Sequence, residues 1–369
     1  TTVIVAEEEE LSVEVRMEKL MISARNNIVA KKWEEAVKDF EKVMRMGTKL
    51  PDKFFFHYGL VLFKMGDYDK SLISLKRYLK LTGENGKYYE KALGLVDRFD
   101  DNQGEKGHTL KEVLAQIESN MVRIKGGCFE MGNSFNDGNK DENPVHKVCV
   151  DDYYLQKYEV TVGAFRAFVS DTGYRTEAEE KGGMHHWNGE EWEKKADVYW
   201  DNTGFLQADS QPVVGVSWND AQEFITWLNK KSGKDFRLPT EAEWEYASRS
   251  GGRQEKWSGT SHESKLGEYA WFKDNSGGRT HPIGQKKPNA FGLYDMSGNI
   301  WEWVQDWYED GYYQRSQVNN PEGPLKGLNR VVRGGSCDNT SKVLRTANRV
   351  GYTPVGRGYD IGFRLARTP

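Results

Sequence analysis

Three cysteines, seven histidines and one close pair of carboxylates are the residues of this 369-residue chain whose types and spacing could do chemistry. Asp295 and Glu302 flank a Gly298-Asn299 turn in the string DMSGNIWE. Two carboxylates beside a tight turn with free backbone carbonyls suit a hard cation such as Ca²⁺, which takes roughly six to eight oxygen ligands. The same string also reads as a Gly-Asn turn packed by Trp301 and Trp303 with no metal. Cys128 and Cys149 sit in GGCFEMG and HKVCVDDYYL, two segments with strand-like alternation that puts both sulfurs on the polar faces. If these strands pair, their Cβ atoms approach to about 4.5–5.5 Å and a disulfide can close. Two unpaired thiols are the other reading.

Cys337 stands alone. His185 and His186 are adjacent, so their side chains diverge in extended structure; His146, His262 and His281 are isolated. None of them has the spacing of a zinc site. The chain also carries no Gly-x-Ser-x-Gly elbow and no phosphate-binding glycine loop.

The elements that must position these residues fall into two regions. Residues 12–99 are rich in Leu, Lys and Glu, and their apolar positions recur at helical spacing. KKWEEAVKDFEKVM from Lys31 aligns with GDYDKSLISLKRYL from Gly66, placing Trp33 over Tyr68, Ala36 over Ser71 and Phe40 over Leu75 at an offset of 35 residues. That offset is close to the tetratricopeptide period of about 34 residues. Tyr58 and Gly59 fit the first helix of the second unit, and residues 88–99 predict a capping helix. Such a segment offers a docking groove for a protein or peptide partner, or serves as a helical spacer.

A polar linker and a short helix occupy 100–120, and His108 in this linker and His57 are the two histidines of the N-terminal part. From Met121 to the end, Gly, Trp, Tyr and Asn predominate, and eleven of the twelve tryptophans lie between Trp187 and Trp307. Thr161 predicts a helix start; Ser217 with Asp220, and Thr240 with Glu243, predict capping boxes. The following helices carry the core aromatics Phe224, Trp227, Trp244 and Tyr246.

Acidic and basic residues nearly balance, 56 against 52, so no basic excess points to nucleic acid. No apolar run approaches the roughly 18 residues of a membrane-spanning helix. The opening TTVIVA followed by Glu7–Glu10 reads as a signal remnant or as a frayed strand with a solvated acidic run. With the possible disulfide, this favours an extracytoplasmic over a cytoplasmic location.

Seven strings between residues 121 and 367 carry a resemblance: MVRIKGGCFEMG, YEVTVGAF, PVVGVSWNDA, RLPTEAEWEYA, PNAFGLYDMSGNIWEW, RVVRGGS and DIGFRLAR. In this order they resemble the formylglycine-generating enzyme (sulfatase-modifying factor) family. The resemblance implies a C-type-lectin-like domain with little regular secondary structure, so that with the tetratricopeptide-like helices before it the chain is α+β overall. It also implies calcium held by the Asp295 and Glu302 side chains with the Gly298 and Ile300 carbonyls.

The family's oxidases bind copper through two cysteines after Gly-Gly-Ser. Here Asn339 holds the first position and Ser341 or Leu344 the second, while Cys337 replaces an aromatic residue. One soft ligand does not make a two-thiolate copper site, so no copper is expected. The sequence therefore predicts a non-catalytic ligand- or protein-binding module. Its surface would comprise Cys337, Asp338, Asn339, Arg345, Asn348, Tyr352, Arg357 and Tyr359 for a ligand still unknown, with Arg349 and Arg364 internal. The alternatives are an oxidoreductase using Cys337 in a diverged site, and a structural subunit of a larger extracytoplasmic assembly.

Overall fold

The computed structural model describes residues 11–65, 67–102, 110–187, 192–196, 198–203, 205 and 207–369. The opening TTVIVA and acidic run, Gly66 and His108 lie outside the described residues. The chain divides into two compact units, one built mainly from the N-terminal residues and one holding most of residues 108–369.

In the first unit, helices Val13–Val29, Trp33–Met44, Asp52–Met65, Tyr68–Thr82 and Tyr89–Asn102 follow one another. Ala36, Phe40, Phe54, Val61 and Leu75 fill its core, with Trp33 packed on the edge. The small positions allow close approach: Ser71 Oγ donates to the Gly59 carbonyl at 2.7 Å, and Ser74 Oγ to the Phe55 carbonyl at 2.7 Å. A Cβ on Gly59 would come within 2.8 Å of Leu75 Cγ, so any larger residue there forces Leu75 or its helix to shift. Asp39 is buried yet satisfied, accepting from Ser23 Oγ at 2.6 Å and Asn27 Nδ2 at 3.0 Å. His57 lies against Phe56 and Tyr88, and burial together with nearby Arg25, Lys53 and Lys87 pushes its imidazole down to about 4. It is neutral at physiological pH.

The second unit opens with helix Leu110–Ser119 and is built from short strands: β1 (Met121–Ile124), β2 (Gly127–Met131), β3 (His146–Val150), β4 (Tyr153–Gln156), β5 (Met184–Trp187), β6 (Trp192–Lys195), β7 (Phe236–Arg237), β8 (Trp301–Trp307), β9 (Arg330–Arg333), β10 (Arg349–Tyr352), β11 (Ile361–Phe363) and β12 (Ala366–Arg367). One sheet has the order β1-β4-β12-β7 and another β10-β9-β8-β11; β2 pairs with β3, and β5 with β6. In the antiparallel β2–β3 pair Cys128 lies opposite Cys149, and the two sulfurs are joined. Phe129, Met131, Val148 and Val150 face inward from the same pair.

Side-chain alternation lets the β10-β9-β8-β11 sheet divide two cores. Trp301, Trp303, Val332, Ile361 and Phe363 enter one, where Phe165, Phe168, Phe224 and Trp227 meet them. Val304 and Val331 enter the other, with Trp244, Tyr246 and Met296. The helices that supply these aromatics start where the caps predict. Thr161 Oγ1 accepts from Ala164 N, and Ser217 with Asp220 and Thr240 with Glu243 form reciprocal capping boxes. Two more boxes, Asn139 with Glu142 and Thr176 with Glu179, were not anticipated because the turns they start are only one turn long.

Between the strands, buried guanidinium–carboxylate pairs fix the loops. Arg349 grips Glu241 through Nε at 2.7 Å and Nη2 at 2.8 Å, Arg249 meets Glu245 at 3.0 Å, and Arg333 bridges Glu241 and Glu245. Arg349→Ala would leave Glu241 with only the 3.3 Å contacts to Arg333 and to the Tyr313 hydroxyl. Breaking a buried pair from one side costs about 3–5 kcal/mol. Urea unfolding of this variant is expected to show a loss of that order; a loss below about 1 kcal/mol, the range of exposed pairs, would mean the network is solvated.

Candidate functional site

The segment after β9 turns at Gly334 and Gly335 and immediately becomes a buried polar cluster. Ser336 Oγ lies 2.7 Å from Asp360 Oδ2 and 3.0 Å from Asn339 Oδ1, and Asn339 Oδ1 also accepts from Ser336 N at 2.9 Å. The Asn339 side chain thus closes a loop back onto Ser336, and its backbone carbonyl accepts from Lys273 N at 3.0 Å. Cys337 is fully buried, and its backbone carbonyl accepts from Ser276 Oγ at 2.7 Å. Burial, reinforced by Asp338 and Asp360, pushes its thiol well above the ordinary range. It is protonated and inert rather than a thiolate nucleophile. Asp338 is bonded by the Tyr359 hydroxyl and remains half-buried, as does Asn339.

Several residues expected at a ligand surface are internal. Arg345 is buried because it pairs bidentately with Glu142 at 2.6 and 2.7 Å. Arg357 donates to the carbonyls of Gly183, Val355 and Lys181. Asn348 is buried and accepts from Asn139 Nδ2 at 3.3 Å. Cys337 and Tyr359 are buried as well. In each charged case the guanidinium stitches loops together, because a planar fork can satisfy several carbonyls or one carboxylate at once. Asp338, Asn339 and Tyr352 keep partial exposure, and Tyr352 leans on Trp303 at a ring separation of 5.9 Å.

Of the two positions where sequence alignment leaves the second oxidase cysteine, Leu344 is fully buried among Trp257, Leu266, Ala270 and Phe272. Ser341 bonds Glu263 through its hydroxyl and accepts from Trp257 Nε1 through its carbonyl. Neither position carries sulfur.

The carboxylate turn is a second polar site. Asp295 and Asn299 adopt left-handed backbone, at φ 58° and 62°, as short polar residues tolerate. Gly298 between them must be glycine, since its φ is 85° and a Cβ would fall 2.2 Å from the Trp271 carbonyl oxygen. The Gly298 carbonyl accepts from Ile300 N at 2.9 Å. Glu302 is fully buried and accepts from Arg364 Nε and Nη2, both at 2.6 Å, and from Trp244 Nε1 at 2.9 Å. Asp295 differs. Its Oδ2 accepts from Gly284 N at 2.8 Å, but its Oδ1 is buried without a partner. Burial raises this carboxyl to about 6. An orphaned, buried carboxylate oxygen fits a cation ligand.

Glu159 stands in the same environment: its Oε1 accepts from Asn299 Nδ2 at 3.1 Å while its Oε2 is buried and unpartnered. It lies inside the string YEVTVGAF, yet nothing local marks it as buried. Asp360 and Ser336 were missed for the same reason. Among the described residues no group of three or more His, Cys, Asp or Glu side chains is arranged to hold a metal ion. His146 contacts the Pro144 carbonyl, and His281 stacks on Trp271 at 3.7 Å with Nε2 on the Ser276 carbonyl.

A sheet dividing two aromatic cores, loops bound by buried arginines, and a Gly-Gly-Ser turn opening onto a polar cluster define the class. Residues 108–369 match the family described as the Sulfatase-modifying factor enzyme 1-like domain, and the chain belongs to that family. It is 35% identical over 285 residues to the formylglycine-generating enzyme of Streptomyces coelicolor, covering 66% of this chain and 88% of that one. It is 31% identical over 283 residues to the inactive C-alpha-formylglycine-generating enzyme 2 of Bos taurus, covering 67% and 87%. The solved structure of PvdO from Pseudomonas aeruginosa is similar at 30% identity and a TM-score of 0.56, covering 68% and 94%.

Burial also holds the Asp360 carboxyl up at about 6. A carboxyl whose folded value exceeds its unfolded value of about 3.9 stabilises the fold at low pH and loses that contribution as pH rises from about 4 to 6. Asp360→Asn removes the penalty. Relative to the parent, this variant is expected to gain on the order of 2 kcal/mol in urea unfolding between pH 4.5 and pH 7. An unchanged difference across that window would show that Asp360 is not held protonated.

Proposed function

We propose that the family domain of this chain is a non-catalytic ligand- or protein-binding module, and that the N-terminal tetratricopeptide-like helices dock a protein or peptide partner. The observation that carries the first part is the residue set after Gly-Gly-Ser. Asn339 accepts from the Ser336 amide there, Leu344 plugs a core and Ser341 carries an exposed hydroxyl bond. The paired thiolates of the family's oxidases have no counterpart, and the lone Cys337 is buried and protonated at neutral pH. This argues equally against an oxidoreductase built on Cys337. Similarity to a bovine protein named as inactive agrees with the reading.

The face left for a ligand is the partly exposed edge formed by Asp338, Asn339 and Tyr352, side chains of the adaptable polar and rigid aromatic kind that suits recognition. Close helix packing at Ala36, Gly59 and Ser71 supports the repeat reading of the N-terminal unit. The Cys128–Cys149 bond supports an oxidising, extracytoplasmic compartment.

The chain is offered copper, oxygen, a reductant and a peptide carrying the sulfatase Cys-x-Pro-x-Arg sequence, beside an active family enzyme. Mass spectrometry is expected to find the peptide cysteine unchanged. Conversion to formylglycine would defeat the binding-module reading.

Calcium at the Asp295 turn is part of the same proposal. The Asp295 side chain and the Gly298 and Ile300 carbonyls would hold it, with Glu302 contributing what acceptor capacity Arg364 and Trp244 leave. A bound cation there would neutralise buried charge and rigidify the turn. At calcium about 100-fold above Kd, stabilisation of about 2.7 kcal/mol is expected, reversed by chelation. Asp295→Ala should abolish the calcium-dependent shift in melting temperature, whatever its effect on the metal-free protein. A parent protein indifferent to calcium would remove the metal from this account.

A further inference from the structure

Arg330 departs from the pattern of the other arginines in this domain. Arg249, Arg333, Arg345, Arg349 and Arg364 each meet a carboxylate. Among the described residues Arg330 meets none, and its one hydrogen bond runs from Nη1 to the Gln305 carbonyl at 2.6 Å. Its guanidinium carbon lies 3.5 Å from the Trp307 ring centroid and 3.9 Å from that of Trp218. Two rings that close to one planar carbon must cover its two faces, so only the in-plane N–H edge can meet a ligand. On that edge Nη2 makes no hydrogen bond among the described residues, and the Nε behind it is buried without a partner. All three side chains are half-buried.

The charge of Arg330 is also uncompensated. Asp306 acts on it electrostatically, but Asp306 Oδ2 accepts from the Glu241 amide at 2.7 Å, and burial pushes that carboxyl well above the usual range. Burial likewise holds the guanidinium down to about 10. A cation stripped of water without gaining an anion is unfavourable, and an incoming carboxylate relieves that penalty. The surroundings are apolar. Arg330 sits opposite Trp307 on β8 and Tyr352 on β10, which is an edge strand. The loop before β9 runs against Trp307, because a Cβ on Gly327 would lie 3.1 Å from Trp307 Cβ. That loop carries Leu325 and Leu328, 101% and 89% exposed. Exposed leucines beside a Trp–Arg–Trp stack have the composition of a protein-binding hot spot, in which an aromatic or arginine anchor is ringed by contacts that exclude water.

We propose that the Trp218–Arg330–Trp307 stack recognises an acidic side chain of a protein partner, an aspartate or glutamate flanked by apolar residues. The carboxylate takes the open N–H edge of Arg330, and the flanking residues cover Leu325 and Leu328. A single guanidinium stands between the two indoles, which matches the one negative charge of a carboxylate better than a phosphate dianion. The indole walls strengthen the pairing by keeping water from it. This inference rests on the binding-module reading above and names the chemistry of the partner.

The test is titration of the intact chain with three blocked peptides, acetyl-Leu-Glu-Leu-amide and its glutamine and phosphoserine counterparts. Binding is followed by NMR through the indole N–H signals of Trp218 and Trp307, assigned with Trp218→Phe and Trp307→Phe. The glutamate peptide is expected to shift both signals saturably and to bind at least tenfold more tightly than the glutamine peptide. In Arg330→Met, which keeps an apolar stem between the indoles, that discrimination is expected to vanish. An arginine that only fills the gap between two indoles would lower the melting temperature when replaced, while the parent's indole signals ignore all three peptides. Silence at both indoles, or equal response to glutamate and glutamine, overturns the proposal. Tighter binding of the phosphoserine peptide overturns the carboxylate assignment in favour of phosphate. Should Arg330→Met fail to fold, Arg330→Lys, which keeps the charge but not the planar fork, decides: reduced discrimination supports the site and undiminished discrimination overturns the role of the fork. Failure here leaves the non-catalytic reading standing, because the copper assay decides that separately.

Discussion

The domain of residues 108–369 depends on arginine side chains buried beside carboxylates. Arg249, Arg333, Arg349 and Arg364 are among its largest fully buried side chains. Its strands are short, from two to seven residues, so ladders alone leave many loop carbonyls without donors. A guanidinium supplies five N–H groups in a rigid plane and can satisfy a carboxylate and several carbonyls together. Arg364 ties the end of β11 to β8 through Glu302 and to the carbonyls of Gln156, Lys157 and Tyr294. Arg349 ties β10 to the first turn of helix Glu241–Ser248. Desolvation makes such pairs poor sources of net stability compared with apolar packing, but it makes their disruption from one side expensive. They specify which loop meets which.

That constraint shapes the candidate sites. Because Arg345 and Arg357 are drawn inward to Glu142 and to loop carbonyls, the surface near Gly335 is narrower than the run of polar residues suggests. It reduces to Asp338, Asn339 and Tyr352. Because Arg364 is saturated by Glu302 and carbonyls, it donates no hydrogen bond to Asp295 or Glu159. The same arginine that closes the fold at β11 therefore leaves the buried Asp295 and Glu159 carboxyls to be raised by desolvation. The aromatic residues do different work: Trp303, Trp244 and Phe224 fill the two cores and keep water from the ion pairs, which strengthens each of them.

Local patterns in the sequence carried much of this. The helix starts at Thr161, Ser217 and Thr240 were legible because a cap is a contact between residues three apart. The facing of Cys128 and Cys149 followed from two-residue alternation, which any strand obeys. The family was legible from seven ordered strings, and the lack of paired cysteines after Gly-Gly-Ser needed only residue identity. The helical character of residues 12–99 followed from periodicity, and the small residues at Ala36 and Ser71 marked where helices touch.

What the sequence by itself determined, then, is the set of elements, the apolar faces that make the two cores, the family, and the residue types at the oxidase positions. Only the tertiary structure decided which polar residues are buried and who partners them. Glu142 meets Arg345 across 203 residues, Glu241 meets Arg349 across 108, and Glu302 meets Arg364 across 62. No periodicity encodes such pairings, because a charge looks the same in sequence whether it faces water or a guanidinium. The burial of Glu159 Oε2 and Asp295 Oδ1 without a hydrogen-bond partner is of that kind, visible only once the neighbouring donors have their acceptors.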